Sequence, residues 1–375
     1  MLLTNLELLE SAGSQWLKIE SGKFTSSSIW SGDKAYSEED KIEFENAIAF
    51  PGLINSHDHL EFNLFPKLGN KRYKDYVEWG EDIHRVNKDE IERIKKIPRD
   101  ERIAHGIHKN ILNGVTTVVD HGSYSVQKNY LIDVFTQYNY LHSIRLEKNW
   151  KAKLLLTLNK KPFVIHIGEG TNDEAYSEIN ELIRWNIFHR KIIGVHAIMM
   201  DEKQAAHFKA VVWCPDSNNF LYGKTSCVDK LKRKTNILFG TDSTVSAGWN
   251  LWDHLRLARS TNLLTDQELY NSLTSSPAKI WNLKRRGAIA KDFDADIVIA
   301  EKKSDNFFNS FFSIDPKDIL MIIKSGDIIL FDERLLNKIG NRINLPDYAR
   351  VEQDKAIKFL KTNSDKGIGY FNSFR

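Results

Sequence analysis

Between Pro51 and about residue 284, short apolar runs alternate with longer amphipathic stretches, and this alternation limits the possible folds more than any other feature. A short apolar run fits a buried strand, and the amphipathic stretch after it fits a helix. Strands that alternate with helices form a parallel sheet, because each helix returns the chain to the same edge. Seven or eight such units favour a (β/α)8 barrel of the TIM type over an open sheet. The predicted strands are 53–55, 115–119, 140–146, 163–167, 192–195, 210–213 and 237–239.

Strand patterns also occur on both sides of the predicted barrel. Residues 1–50 contain short strands with turns between them, and the same pattern returns after residue 284. We therefore expect an α/β protein with a barrel at 51–284 and one small composite β-sandwich domain built from 1–50 and 285–335. For residues 336–375 we predict a C-terminal helical tail, on the basis of the amphipathic stretch at 349–362. The stretch between Ile144 and His166 is short, so either the fourth barrel strand or its helix must be abbreviated.

Composition narrows the class of protein. The chain has 53 basic and 50 acidic residues and a net charge of +3, which does not supply the basic face that nucleic-acid binding needs. No run of 18 apolar residues occurs, so a membrane-spanning helix is not expected. The chain has only two cysteines, and its first residues lack the basic start of an export signal. These features predict a cytoplasmic protein.

Metal-binding side chains follow four of the predicted strands. His57 and His59 come directly after the first strand, and alternate residues of an extended chain point to the same side. His166, His196 and Asp242 stand at the ends of three later strands. Because the carboxyl ends of barrel strands form the catalytic face, these five residues should meet in one place. Imidazole and carboxylate groups suit Zn²⁺ or Fe²⁺ and leave a coordination position for water.

A further carboxylate lies close to this group in sequence. Glu169 is three residues after His166, where a general acid and base would stand beside a metal-activated water. Glu61 continues the side of the strand that carries the first two histidines, so it is the reserve candidate. Asp58 alternates to the opposite side. His121 follows the strand at 115–119, and it either lines the pocket or packs inside the barrel.

Several aromatic side chains fall in loops at the same face. Trp79 and His84 lie after the first strand, and Phe220, Leu221 and Tyr222 follow a Ser-Asn turn. They either stack on a flat substrate ring or pack the loops against the barrel.

These motifs, in this order, resemble the amidohydrolase superfamily of metal-dependent hydrolases, and the resemblance runs from about residue 15 to 335. The Glu after the third histidine and the Ser217-Asn218 turn are similar to the branch that holds cytosine deaminase, guanine deaminase and the triazine chlorohydrolases. The motifs are Pro51-Gly-Leu-Ile-Asn-Ser-His-Asp-His, Gly114-Val-Thr-Thr-Val-Val-Asp, His166-Ile-Gly-Glu, Gly194-Val-His, Cys214-Pro-Asp-Ser-Asn, Gly240-Thr-Asp and Asp294-Ala-Asp-Ile-Val.

The resemblance implies a ligand set and roles for its neighbours. His196 would hydrogen-bond the attacking water, Glu169 would carry its proton to the leaving group, and Asp242 would hold a proton as well as bind the metal. In dinuclear relatives a carbamylated lysine near the position of Lys148 bridges two metals, but Glu169 belongs to the mononuclear pattern. The resemblance also implies a possible homodimer. One divalent transition metal, Zn or Fe, would be held by His57, His59, His166 and Asp242.

The function that follows is hydrolysis of a C–N bond other than a peptide bond, with deamination of an amino-substituted N-heterocycle as the leading form. Amide or lactam hydrolysis and dechlorination would use the same site. A metal-free binding protein on the same fold is the alternative from another class. A nucleic-acid deaminase is disfavoured, because the chain has no H-x-E with P-C-x-x-C. We expect a small-molecule substrate and no nucleic-acid or membrane partner.

Overall fold

The chain begins and ends in strands, and a strand-helix region lies between them. The computed structural model describes residues 1–9, 14–29, 41–122 and 130–362. The strands are β1 (Leu2–Leu8), β2 (Gln15–Glu20), β3 (Lys23–Ile29), β4 (Lys41–Pro51), β5 (Leu53–Asp58), β6 (Val115–Asp120), β7 (Asp133–Phe135), β8 (Asn139–Ser143), β9 (Phe163–Ile167), β10 (Ile192–His196), β11 (Ala210–Trp213), β12 (Asn236–Phe239), β13 (Ile297–Glu301), β14 (Ile319–Lys324), β15 (Asp327–Asp332), β16 (Tyr348–Gln353) and β17 (Ala356–Lys361).

Helices lie mainly between the strands of the middle region. In the described part of the chain, none of them is both long and apolar enough to cross a membrane. The helices are α1 (Tyr76–Val86), α2 (Lys88–Lys95), α3 (Arg99–Leu112), α4 (Trp150–Leu156), α5 (Asp173–Trp185), α6 (Glu202–Ala205), α7 (Pro215–Tyr222), α8 (Val228–Leu231), α9 (Leu251–Ser260), α10 (Asp266–Asn271), α11 (Ser275–Ile280), α12 (Phe307–Phe312) and α13 (Leu336–Ile339).

The middle region is the predicted (β/α)8 arrangement of the TIM type. Strands β5 to β7 form one parallel sheet, and β8 to β12 form a second parallel sheet in sequential order. The Asp242 amide donates to the His57 carbonyl at 3.0 Å, which joins the chain after β12 to the end of β5. Strands such as β9 and β10 are buried along their whole length, as expected for a sheet covered by helices. The predicted fold class is confirmed.

Strands from both ends of the chain share one sheet. Its nine described strands run in the order β16-β17-β15-β14-β13-β4-β1-β2-β3. The central contact is antiparallel pairing of β13 with β4, in which Ile297 lies opposite Pro51. Apolar residues of strands from both ends, such as Leu17 and Phe331, pack in one hydrophobic cluster. The composite β-domain is therefore one continuous sheet.

The predicted helix at 349–362 is wrong, because this segment forms the hairpin β16–β17 and joins the composite sheet. Two residues, Asp354 and Lys355, connect the strands, and both have positive φ values of 46° and 70°. Such a turn normally carries Asn-Gly or Asp-Gly, and the missing glycine hides it in the sequence. Short helical turns occupy much of 336–347, and residues 363–375 of the predicted tail lie outside the described residues.

Two elements of the barrel, strand β7 and helix α4, add to what the sequence predicted. Strand β7 was missed, because it is only three half-buried residues long and gives no periodic signal. The helix between β8 and β9 is the abbreviated element of that unit, since α4 has seven residues.

The C-terminal hairpin is fixed by a buried lysine, and this contact can be tested. The Lys358 ammonium is 1% exposed and donates to Asp332 at 2.6 Å and to the carbonyls of Lys317 and Ile319. We expect Lys358→Met to lower the free energy of unfolding by about 2 kcal/mol, because the two carbonyls would lose a buried donor and Asp332 would keep Arg334 but lose Lys358 as a partner. Urea denaturation of the full chain measures it.

The matched control is Lys361→Met on the same strand. Lys361 makes only a surface pair with Asp327 at 3.6 Å, so its loss should change stability by less than about 1 kcal/mol. Equal effects of the two substitutions would contradict the integration of this hairpin into the sheet.

Candidate active site

The carboxyl ends of four barrel strands bring the predicted ligands together. His57 and His59 extend from β5, and the ring nitrogens Nε2 of His59 and His166 are 3.3 Å apart. The Asp242 Oδ1 lies 3.8 Å from His57 Nε2 and 4.0 Å from His59 Nε2. His196 joins the group from β10, with its Nε2 3.8 Å from Asp242 Oδ2. All five residues therefore meet at one point of the catalytic face.

The donor set fits a divalent metal ion. The Nε2 atoms of His59 and His166 lie 3.3 Å apart, a separation that two nitrogens can have when both bind one Zn²⁺ at ≈2.0–2.1 Å. The His166 Nδ1 donates to the His142 carbonyl at 2.9 Å, which leaves the Nε2 lone pair free for a ligand bond. His57 is fully buried, and among the described residues neither of its ring nitrogens has a hydrogen-bond partner. A cation would satisfy these unpaired nitrogens.

The electrostatics favour the protonation states that metal binding needs. Burial, with the neighbouring histidines adding to it, lowers the pKa of His57 and His166 well below the ordinary value, so both rings are neutral near pH 7. Burial alone would raise the pKa of Asp242, but His196, His59 and further hydrogen bonds hold it below its usual range. Neutral imidazoles and an ionised carboxylate are the forms that bind metal.

Asp242 is held from several sides. Its Oδ2 accepts hydrogen bonds from Ser217 at 2.8 Å and from Ser246 at 3.0 Å. Beneath it, the buried Lys109 ammonium donates to the Asp242 carbonyl at 2.8 Å and pairs with Asp58 at 3.2 Å. Asp242 has a φ of 59°, a left-handed conformation that is costly for a non-glycine residue and is often found at functional sites.

Glu169 stands beside His196, with 3.8 Å between its Oε1 and the histidine Nε2. Gly168 before it has a φ of 60°, and its amide donates to the buried Glu178 carboxyl at 2.9 Å. The Tyr222 hydroxyl donates to Glu169 Oε1 at 2.8 Å, which fixes one carboxyl oxygen. Burial raises the pKa of Glu169, while His196 and Tyr222 oppose that rise.

His196 is oriented by Asn218, which lies in helix α7 and not in the predicted Ser-Asn turn. Its Nδ1 lies 2.8 Å from the Asn218 side-chain oxygen, so the ring donates there and turns Nε2 toward Glu169 and Asp242. His196 also has a positive φ of 67°. An acceptor nitrogen in this position can hold a water molecule in line with both carboxylates.

A cavity of about 280 Å³ opens from this group toward the surface. Its inner end is formed by the cluster just described. Of the predicted loop residues, Trp79, His84 and Leu221 line the cavity, whereas Phe220 and Tyr222 are not among its lining residues. The outer wall comes from α1, α2, the loop after β5 and the loop after β12. Its main apolar side chains are Phe62, Phe65, Leu68, Ile83, Ile91 and Val245.

Other candidates lie away from the cavity. Glu61 forms ion pairs with Arg99 and Arg102, both at 3.3 Å. These contacts do not favour Glu61 as the second candidate for the general acid and base. Lys148 is exposed and borders a separate surface depression, so it does not stand where a bridging ligand would be needed.

His121 and Asp58 both lie behind the ligand group. The His121 ring stacks on that of His166 with 4.5 Å between centroids, and its Nε2 donates to the Leu141 carbonyl. It thus packs inside the barrel and does not line the cavity. Asp58 points away from the cavity, as strand alternation predicts, and its partner Lys109 had no signal in the sequence.

The fold and the cluster define a barrel protein with a metal-ligand site at the carboxyl ends of its strands. Residues 153–329 match the model of the amidohydrolase family, and this range includes His166, Glu169, His196 and Asp242. This segment is therefore similar to the amidohydrolase family, and the resemblance noted in the motifs is confirmed for it.

Two curated relatives are deaminases. A 5-methylthioadenosine/S-adenosylhomocysteine deaminase of Caldicellulosiruptor saccharolyticus is 24% identical over 229 aligned residues, with 54% of this chain and 52% of that protein covered. The chain thus matches about half the length of this relative. A protein of the same name from Carboxydothermus hydrogenoformans is 21% identical over 383 aligned residues, with 80% and 84% of the two chains covered.

The fold is similar to that of a solved adenosine deaminase from Xanthomonas campestris with bound zinc. The TM-score is 0.69 and the identity is 16%, over 88% of this chain and 92% of the other.

The ligand assignment predicts the metal content. We expect about one transition-metal ion per chain in the purified protein, and we expect His166→Ala to lose it, because one neutral nitrogen ligand disappears. Elemental analysis after dialysis measures both. Lys148→Met is the control and should keep the ion. Two ions per chain, with one lost in Lys148→Met, would contradict the assignment.

Proposed function

We propose that the protein is a metal-dependent deaminase that hydrolyses an exocyclic C–N bond of an amino-substituted N-heterocycle. The observation that carries this proposal is the meeting of Glu169 and His196 with the proposed ligands at the strand ends that form the inner end of one cavity. The deaminase relatives support the same reaction class. The ligands would be His57, His59, His166 and Asp242, holding one Zn²⁺ or Fe²⁺.

Each residue has a distinct task in this reaction. A divalent ion at the site would lower the pKa of a bound water and make hydroxide available near neutral pH. His196, fixed by Asn218, orients the attacking water through its Nε2. Glu169 takes the water's proton and delivers it to a ring nitrogen, and a proton transfer to the exocyclic nitrogen then lets ammonia leave. Asp242, held by two serines, keeps its negative charge beside the water and can accept its remaining proton.

The alternative reactions would use the same residues but differ in the leaving group. Amide or lactam hydrolysis and dechlorination need the same water and the same acid, so the substrate decides among them. A metal-free binding protein would gain nothing from a buried His57 with both ring nitrogens unpaired, because unpaired buried polar atoms reduce stability.

The direct test is an ammonia-release screen with the metal-loaded protein. Amino-substituted purines, pyrimidines, pterins and triazines are the substrates, with amides, lactams and chloro-triazines as comparison sets. Release of ammonia from a ring amine, abolished by His166→Ala, is the expected result. Chloride release, or ring opening without ammonia, would contradict deamination and indicate one of the alternative reactions.

The proton-transfer role predicts the effect of Glu169→Gln. The variant should keep its fold and metal but lose about 10²–10⁴-fold in kcat, because an amine cannot leave without a positioned acid. Steady-state ammonia release and elemental analysis measure the two quantities. Glu61→Gln, which changes a carboxyl outside the cavity, is the control and should stay near wild type. A Glu169→Gln variant with wild-type turnover would move the proton shuttle to another residue.

The hydrogen bond from Tyr222 predicts a shift in pH dependence. Donation from Tyr222 opposes the burial that raises the pKa of Glu169, so Tyr222→Phe should raise that pKa further. Because Glu169 must be ionised to accept a proton, kcat/KM falls as the pH drops through this pKa. The acid limb of the profile should therefore move to higher pH in Tyr222→Phe.

Tyr73→Phe is the matched control for this shift. Tyr73 lies in the same hydrophobic cluster as Tyr222, but its hydroxyl donates to Asp82. The control should leave the acid limb in place. An unchanged limb in Tyr222→Phe, or a move to lower pH, would be inconsistent with the proposed contact.

A further inference from the structure

The outer part of the cavity is lined mainly by apolar side chains. Six apolar side chains form its main surface: Phe62, Phe65, Leu68, Ile83, Ile91 and Val245. They come from α1, α2, the loop after β5 and the loop after β12, and they pack as one hydrophobic cluster. The subsite formed by these six residues is called the apolar arm site below.

Two polar groups in the neighbouring wall are already used inside the protein, and a third wall residue, the half-buried His142, has its Nδ1 3.0 Å from the Ser143 hydroxyl. The Tyr76 hydroxyl donates to the buried Glu178 at 3.0 Å, and the Trp79 indole nitrogen donates to the Leu68 carbonyl at 3.0 Å. Both side chains therefore turn their rings, and not their donors, toward the cavity. His84 and Lys95 border the cavity too, but both are exposed and remain in water at its mouth.

The two ends of the cavity therefore suit different parts of one ligand, a polar part at the inner end and an apolar part at the outer end. The inner end holds Glu169 and the ligand set, which act on a polar ring. An arm that extends from the ring toward the surface meets the apolar arm site. Hydroxyl groups on such an arm would lose water and gain no partner from the six side chains of the apolar arm site, at a cost of about 10-fold or more in affinity for each buried group.

We propose that the substrate is an amino-substituted ring that carries an uncharged alkyl or aryl arm, and that the apolar arm site selects this arm over a hydroxyl-rich one such as a sugar. The inference rests on the proposed deamination for the ring end of the substrate. The part of the inference that concerns the arm depends only on the apolar wall of the cavity. The cavity volume of about 280 Å³ lies just below the ~300–1,000 Å³ range of small-molecule sites, so the arm must be short.

The test uses matched arms on the same ring. Adenine, guanine, cytosine and melamine are each prepared as the free compound, with an n-butyl arm and with a 2,3-dihydroxypropyl arm. Ammonia release by the metal-loaded full chain gives kcat/KM, and calorimetric titration of the same compounds into the Glu169→Gln protein gives affinity without turnover. We expect the butyl compound of the accepted ring to exceed the dihydroxypropyl compound by about 10-fold or more in both measurements.

Paired variants then locate the preference in the wall. Ile91 and Ile94 lie on the same helix and in the same hydrophobic cluster, but only Ile91 lines the cavity. Ile91→Ala should reduce the butyl-to-dihydroxypropyl ratio several-fold, whereas Ile94→Ala should leave this ratio unchanged. Because a ratio does not depend on the folded fraction, a loss of stability cannot imitate the effect. Val245→Thr, which nearly conserves volume, is the second wall variant if Ile91→Ala does not fold.

The outcomes separate this inference from the proposed function. Tight binding of the butyl compounds without ammonia release would contradict deamination and leave the apolar arm site standing. Ammonia release with equal or better use of the dihydroxypropyl compounds would overturn the arm site and leave deamination standing. No preference for butyl in either binding or turnover overturns the inference, and so does an equal change of the ratio in Ile91→Ala and Ile94→Ala.

Discussion

A buried ion pair beneath the site supports the strand ends on which the chemistry depends. Lys109 on α3 contacts Asp58 at the end of β5 and the carbonyl of Asp242 after β12, so one ammonium joins the first and last barrel strands. Both charged groups are almost fully buried, and removing one partner alone would leave the other unpaired in the barrel interior. The histidines above can stay neutral and close together because the backbone that carries them is fixed from below.

The two halves of the cavity follow from two different parts of the fold. Its inner end comes from strand ends, which parallel pairing fixes with little freedom, so the polar groups there keep defined distances. Its outer end comes from α1, α2 and their connecting loops, which are added to the barrel after its first strand. Under the proposed function, most residues that would contact the substrate arm therefore lie in other segments than those that would act on the ring, although Val245 shares the loop after β12 with Asp242.

The sequence predicted which residues meet at the inner end of the cavity, but it did not predict the contacts that surround them. His57, His166, His196 and Asp242 were identifiable because each stands where an apolar run stops, and that position has one meaning in a parallel barrel. The hydrogen bond from Tyr222 to Glu169 could not be identified from the sequence, because it depends on how α7 lies against the end of β9. The C-terminal hairpin was mistaken for a helix because Asp354-Lys355 forms its turn without glycine. In each missed case the deciding partner is distant in sequence or the local signal is absent.

The pairing of β4 with β13 has a consequence for how the chain is made. About 250 residues of barrel separate these neighbours, so the first four strands leave the ribosome well before their partner exists. At roughly 5–20 residues per second, β4 would wait on the order of ten seconds or more with one edge open. An open strand edge invites pairing with other chains, and nascent molecules on one messenger are close neighbours. Slow translation of the barrel would then lower the yield of folded protein without any change in its final stability.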